Sequence, residues 1–281
     1  MDQVTGQGDY LMLSRHAAPL LVLGVIVGLA ASVSPASTSL ASTALAAKAP
    51  HTTRICQPLG WSPVTAPAGG RYIVRNDNFA GRTECLRNSD LGPNFTVARS
   101  AANARGPESD AYPDVFYGCS WGLCTHGSVL PAQVTRVREA RASSSTDDRA
   151  GGRWSTAFDI WFGRHRSGYR AQATGAELMI WLDAHDFPPP PGPRFTVDHR
   201  RWYLYHWVGK LDGKRWNYIQ VRAVHPVTRV HQLELLPIID HLVGMGLIRR
   251  NWWMLNVESG FEIWSGGTGL AMKSFSAHVR T

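Results

Sequence analysis

The sequence predicts an all-β fold, a sandwich or a barrel, on three observations. Short segments rich in β-branched and aromatic residues recur along it, Gly, Pro, Asn and Asp separate them, and helices of about 10–15 residues do not alternate with them. In chain order the segments are RYIVRN, NFTVAR, QVTRVRE, TAFDIWF, AELMIWL, RWYLYHWV, NYIQVRAV, WMLNVESGFEIW and MKSFSAHV. All-β domains of about 200–250 residues often fold as one unit, so a chain of 281 residues needs no second globular domain.

The first element along the chain stands outside that fold. Arg15 and His16 precede an apolar run from Ala17 to Ala31, and a Ser/Ala/Thr-rich stretch then reaches Pro50, which is the layout of a secretory signal. The run is about fifteen residues, short of the roughly twenty that span a bilayer as a helix. Residues 1–46 are therefore expected to be a signal peptide, or a membrane anchor with its linker if they stay uncleaved. The protein is expected to be secreted, or held at the cell surface in the second case, with residues 47–281 as its folded domain. Small residues at peptidase spacing end at Ala36 and at Ala46, and Met12 is an alternative start to Met1.

Export permits disulfides, and Cys56, Cys85, Cys119 and Cys124 all lie beyond the signal. Three pairings are formally open. Joining Cys119 to Cys124 closes the tight loop CSWGLC and leaves Cys56 and Cys85 as a longer staple near the mature N-terminus. No His pair stands at ligand spacing beside them, so neither a zinc site nor any other metal or cofactor is expected. The net charge is +8, but Lys and Arg form neither a run nor a helical stripe, so nucleic-acid binding is not expected either.

Two segments read as loops. ASSSTDDRAGG, Ala142 to Gly152, is a polar, glycine-ended turn or excursion, and FPPPPGP, Phe187 to Pro193, is stiff polyproline-like chain that could frame a cleft. One helix is expected. It begins near Pro237, a residue suited to the first helical turn, and carries Ile238, Ile239, Leu242, Val243, Met245 and Ile248 on its apolar face.

Within the strands, alternation separates two faces. In GAELMIWLD, Leu178, Ile180 and Leu182 make a core face, while Glu177, Met179 and Trp181 share the other. The pattern recurs with Asp159 and Trp161 in TAFDIWFG, and with Glu258, Glu262 and Trp264 in VESGFEIW. A lone Glu in a half-buried strand is more often the partner of an Arg across the sheet. Three strands that each place an acid two residues before a Trp or Met describe something else, a concave surface of carboxylates among indoles. Sugar rings stack their C–H faces on Trp, and a glycosidic bond breaks through an oxocarbenium-like state that needs one carboxylic acid and one carboxylate. Crowding acids against apolar neighbours separates their proton affinities.

RYIVRNDNFAG, YPDVFYGCSWGLC, FDIW, ELMIW, the PxG of the proline loop, GFEIW and GLAMKSFSAHV, in that order, resemble the family 12 glycoside hydrolases, bacterial and fungal endo-β-1,4-glucanases. The likeness extends from about Thr53 to Thr281. It implies a β-jelly roll sandwich of two curved antiparallel sheets with one helix on the convex side, and a retaining double displacement on a β-glucan polysaccharide without a cofactor. The alternatives are a xyloglucan-specific hydrolase of the same family and a glucan-binding protein with weak or no turnover, and a monomer is expected. The family's nucleophile falls on Glu177, its general acid/base on Glu262 and its supporting acid on Asp159. Substrate-binding positions fall on Asn76, Phe79, Trp121, Met179, Trp181, Pro190 and Trp264, and the family's disulfides on Cys56 with Cys85 and Cys119 with Cys124. The chain departs from the family where Phe79 replaces a Trp, Ile263 a Pro, Ser120 a His and Tyr117 an Asn. Glu258 replaces a Gln and is expected to alter the titration of Glu262, and Ser144 to Arg149 replace a more apolar strand.

Overall fold

The computed structural model describes residues 51–64, 70–170, 174–211 and 214–281; the expected export segment lies outside them. The strands in chain order are β1 (Thr52–Ile55), β2 (Trp61–Val64), β3 (Tyr72–Arg75), β4 (Glu84–Ser89), β5 (Phe95–Ser100), β6 (Ala102–Asn103), β7 (Asp114–Ser120), β8 (Leu123–Cys124), β9 (Ala132–Gln133), β10 (Glu139–Asp147), β11 (Gly152–Gly163), β12 (Ala176–His185), β13 (Arg194–Val197), β14 (Arg200–Leu211), β15 (Lys214–Ala223), β16 (Arg229–Glu234), β17 (Trp253–Met254), β18 (Asn256–Gly266) and β19 (Ala271–Arg280). Among the described residues the one α-helix is α1 (Leu236–Gly244).

Two sheets pack face to face. Sheet A runs β1-β4-β5-β19-β10-β16, and sheet B runs β13-β14-β15-β12-β11-β18-β7-β3-β2 with four short strands at its margins. Period-two side chains from both inner faces, among them Leu86, Phe95, Val97 and Phe275 from sheet A and Phe158, Ile160, Leu178, Ile180, Val221 and Phe261 from sheet B, form one apolar cluster. The result is the expected jelly roll. Its pairings are antiparallel except β12 with β15, which run parallel because the β13–β14 hairpin intervenes before the chain returns. Register shifts at Thr156/Ala157 against β12 and at Arg153/Trp154 against β18 bend the N-terminal half of β11. Both expected disulfides are present, Cys56–Cys85 and Cys119–Cys124.

Three local readings change. QVTRVRE is not one strand: Val134–Arg136 make a 3-10 turn and β10 starts at Glu139. Val134 and Val137 are buried while Thr135 and Arg136 are exposed, a spacing of three that fits such a turn. Ala142 to Asp147 are no loop but the second half of β10, paired between β19 and β16. Their inward residues are small, with Ala140, Ala142 and Ser144 buried, so the strand lacks the bulky alternation that marks its neighbours. The helix ends at Gly244 and not at Ile248. Gly246, at φ 74°, lets its N–H reach Val243 O and the Leu247 N–H reach Leu242 O, a Schellman cap that turns the chain. Met245 is consequently exposed, while Ile248 stays in the core.

Helix α1 continues the layer of sheet A over the convex side of sheet B. His241 stacks on Phe195 of β13 at 4.3 Å, and Asn217 of β15 donates to Leu247 O at 2.7 Å. The opposite face of sheet B is left open as a concave surface.

One buried acid lies apart from that surface. Glu84, at the start of β4, is 2% exposed and neither carboxylate oxygen has a hydrogen-bond partner. Burial, then the charges of Asp77 and Asp110, push its pKa from 4.5 up to about 8, against a weaker opposing pull from Ser100. The native state therefore binds more protons than the unfolded chain between those values, and stability from this site falls as pH rises through that window. Glu84→Gln is expected to raise Tm by several °C at pH 8, given roughly 2–4 °C per kcal/mol for a domain of this size, and by much less at pH 5. Calorimetry at both values checks this, and an equal change at both would refute it.

Candidate active site

Strand β11 is the axis of the concave face. Its core residues Trp154, Phe158, Ile160 and Phe162 are buried in the sandwich, so the pleat sends Ser155, Ala157, Asp159 and Trp161 the other way. On β12, Glu177 lies opposite Trp161, Met179 opposite Asp159 and Trp181 opposite Ala157. On β18, Glu258 lies opposite Asp159, Gly260 opposite Ala157 and Glu262 opposite Ser155. Glu177 and Glu262 thus stand on the two strands that flank β11, opposite Trp161 and Ser155, as the two walls of the candidate cleft.

Each wall has its own chemistry. Glu177 is partly exposed and its Oε2 accepts a hydrogen bond from Trp216 Nε1 at 2.8 Å. Asp159 is buried, and its Oδ2 accepts one from Trp161 Nε1, also at 2.8 Å. On the far wall, Ser109 donates to Glu262 Oε1 at 3.3 Å. Glu262 Oε2, Ser155 Oγ and Trp181 Nε1 are gathered there with no hydrogen-bond partner in the protein, which is how a site built to receive a substrate oxygen presents itself.

Burial moves all three acids upward. The Glu177 carboxyl is pushed from 4.5 to about 8, by burial first and then by the charge of Glu262. Glu262 is pushed to about 7 by burial, opposed by hydrogen-bond donors around it. Asp159 rises well above the usual carboxylate range through burial and the charge of Glu177. Repulsion between Glu177 and Glu262 is mutual, so near neutrality the pair carries one proton between them. The hydrogen bond from Trp216 favours the charged form of Glu177 and opposes part of its rise.

Behind Asp159 lies a buried ion cluster. Arg75 of β3, 2% exposed, contacts Asp77 at 3.2 Å, Glu258 at 3.0 Å and Asp114, and donates to Ser120 Oγ at 2.9 Å. Asn256 donates to Glu258 Oε1 at 2.7 Å. Burial, opposed by Arg75 and reinforced by Glu258, pushes Asp114 well above its ordinary range. The expected influence of Glu258 on Glu262 is not what the structure has: its charge raises Asp159 and Glu177, and the rise of Glu262 comes from burial. Four residues separate the two on β18, about 13 Å of strand.

The remaining expected positions divide into open and covered. Phe79 and Trp121 are open, at 55% and 48% exposure. Phe79 borders an open groove that also includes Arg82, Arg105 and Ser109. Trp121, at φ 43°, precedes Gly122, at φ 88°, in the two-residue turn closed by the Cys119–Cys124 bridge, and its ring meets Trp161 at 5.9 Å. Met179, Trp181 and Trp264 form a second, smaller apolar cluster with Tyr112. Phe187 covers them, with ring centroids 5.1 Å from Trp181 and 4.7 Å from Trp264. Pro190 is half-buried in the same proline loop, which Arg222 holds through Pro188 O and Phe187 O. Asn76 is fully enclosed and donates to Gln57 O and Glu84 O, so it shapes the loop and does not reach the cleft. Trp216, Tyr218, Tyr205 and Trp207 line the cleft without having been singled out. For Tyr205 and Trp207 the signal was present, since RWYLYHWV alternates Tyr203, Tyr205 and Trp207 on one face.

Arg75→Met would leave three buried carboxylates without a cation. A loss of about 3–5 kcal/mol is expected at pH 7. It should be smaller at pH 5, where protonation removes the uncompensated charge and the native state, binding more protons than the unfolded chain, gains stability. Urea denaturation at both values tests this; a variant as stable as wild type at pH 7 would mean that the cluster contributes nothing net.

A model of the family described as glycosyl hydrolase family 12 matches residues 72–280. A metagenome-derived glycoside hydrolase family 12 endoglucanase of known crystal structure is 34% identical with a TM-score of 0.75, covering 82% of this chain and 98% of its own. Endoglucanase Cel12A from Rhodothermus marinus is 35% identical with a TM-score of 0.73, over 81% and 99%. By sequence, the probable cellulase Cel12b of Mycobacterium tuberculosis is 27% identical over 159 residues, 54% of this chain and 99% of that protein. A match that begins on the first residue of β3 and ends on the last of β19 covers the cleft from its edge to its supporting sheet: the chain belongs to glycosyl hydrolase family 12.

Proposed function

We propose that this glycoside hydrolase is a retaining endo-β-1,4-glucanase acting on internal bonds of cellulose-type or mixed-linkage glucans, with Glu177 as nucleophile, Glu262 as general acid/base and Asp159 as the acid supporting Glu177. The observation that carries this reading is the unequal pair across the cleft. Glu177 has an indole donor suited to an ionised carboxylate, and Glu262 has a buried oxygen without a protein partner. In the first step Glu177 attacks the anomeric carbon while the glycosidic C–O bond breaks and Glu262 passes its proton to the departing oxygen. In the second, Glu262 takes a proton from water, the water oxygen bonds to the anomeric carbon, and Glu177 leaves as carboxylate. The exposed faces of Phe79, Trp121 and Trp207 suit stacking against pyranose rings along an open cleft, and residues 1–46 suit export to where polymeric glucan is met.

Reducing-sugar release from carboxymethyl-cellulose and barley glucan is the direct test. Glu177→Gln and Glu262→Gln are each expected to lose at least about 10³-fold in kcat/KM, of the order seen when a group acting in the transition state is removed. The first-formed product should carry the β-configuration by NMR. Binding without release by wild type would sink the enzyme reading, survival of activity in both variants would sink the residue roles, and an α-product would sink retention.

The pH dependence follows from the same pair. Activity falls on the acid side as Glu177 takes a proton and on the alkaline side as Glu262 loses one. Because both carboxyls are raised, the bell-shaped kcat/KM profile is expected to peak near neutrality, with its limbs above the ordinary carboxylate range. Phe79→Trp enlarges an exposed stacking face and is expected to lower KM about 2–10-fold at unchanged kcat, the equivalent of about 0.5–1.5 kcal/mol of aromatic contact.

A further inference from the structure

The hairpin β14–β15 places an indole on a glycine at the edge of the nucleophile's wall. Gly209 and Trp216 are cross-strand partners. A Cβ built on Gly209 would lie 2.6 Å from Trp216 Cε2 and 2.7 Å from Cζ2, so the ring lies flat over the glycine backbone in space that any side chain would occupy. From that seat Trp216 Nε1 donates to Glu177 Oε2 at 2.8 Å, and its ring is braced by Trp161 at 6.3 Å. Trp161 in turn donates to Asp159, so two adjacent indoles each serve one of two adjacent acids.

We propose that Trp216, seated on Gly209, is a positioning residue that holds the Glu177 carboxylate in its attacking pose and in its charged form. This deepens the nucleophile assignment above and rests on it. The need for such a donor is evident from what faces Glu177. Asp159 from β11 and Glu258 and Glu262 from β18 bring further carboxyl groups, and Tyr218 from β15 brings a phenol that burial and those acids keep protonated. The cations at the open end of the hairpin, Lys210, Lys214 and Arg215, are exposed. Among the described residues, Trp216 is the one that donates a hydrogen bond to the Glu177 carboxylate, and its N–H does not titrate. A tyrosine or serine hydroxyl in its place could turn round and accept, whereas an indole cannot.

The test uses two variants that reach the same contact from opposite sides. Trp216→Phe keeps an aromatic ring on Gly209 and deletes the N–H, while Gly209→Ala keeps the N–H and pushes the ring off its seat. In both, the acid limb of kcat/KM is expected to move up by about 1–2 pH units, because a hydrogen bond to a charged group is lost and Glu177 then binds its proton more tightly. The double variant is expected to add little to either single one. Thermal melts identify loss of fold, which lowers the amount of active enzyme without moving the limb; if one variant fails to fold, the other decides. Trapping with an activated 2-deoxy-2-fluoro-cellobioside, followed by mass spectrometry of wild type, separates the two layers. A label elsewhere than Glu177 overturns the nucleophile assignment, and this proposal with it. A label on Glu177 together with an acid limb unmoved in either folded variant overturns the role of Trp216 alone.

Discussion

The pleat of β11 is the constraint on which the rest of the cleft depends. Trp154, Phe158, Ile160 and Phe162 are locked into the sandwich by large side chains that are 0–1% exposed, and nothing can rotate without emptying that core. The odd-numbered face, with Asp159 and Trp161, is thereby aimed at the cleft, and ladder pairing on both sides transfers the choice to Glu177 and Glu262. A slip of one residue in either pairing would bury the two acids in the core and expose leucine and isoleucine. Core packing and site geometry are thus one property of the sheet.

Gathering carboxylates on one concave face works against solvation and against mutual repulsion. The molecule answers with three different donors. Arg75 serves the acids behind the cleft with a full charge, in a cluster where removing the cation would cost far more than the cluster contributes intact. Indole N–H groups serve Glu177 and Asp159, supplying polarity without a second charge. Glu262 receives the least, one long bond from Ser109, and keeps an oxygen free.

Aromatic residues carry two distinct duties in this sheet. Trp181, Trp264 and Phe187 pack against one another and support the floor next to Glu262, little exposed themselves. Phe79, Trp121 and Trp207 present open rings. The left-handed backbone at Trp121 is unfavourable for a bulky side chain, and the short disulfide across that turn holds the indole there regardless. Composition alone, rich in Trp as it is, does not distinguish the two duties.

Much of the site was legible in the sequence because it is local. Alternation within GAELMIWLD, TAFDIWFG and VESGFEIW assigns Glu177, Asp159 and Glu262 to one face each, the loop CSWGLC pairs its own cysteines, and Pro237 marks the start of α1; each depends on residues a few positions apart. What escaped depends on residues far apart. Small residues hid the strand Ala142 to Asp147, since only the opposing sheet supplies the bulk that buries them. The left-handed Gly246 ended α1 early through a cap that apolar periodicity does not encode. Asn76 turned inward because Gln57 and Glu84 offer it carbonyls, and Glu258 was claimed by Arg75 from 183 residues away. Trp216 reaches Glu177 across 39 residues only because Gly209 lies opposite it in the ladder. The sequence by itself determined which residues share a face, because a strand's pleat is a property of the chain. Which faces meet, and which donor each acid receives, was decided by the tertiary structure, because register and sheet curvature are set by packing between strands.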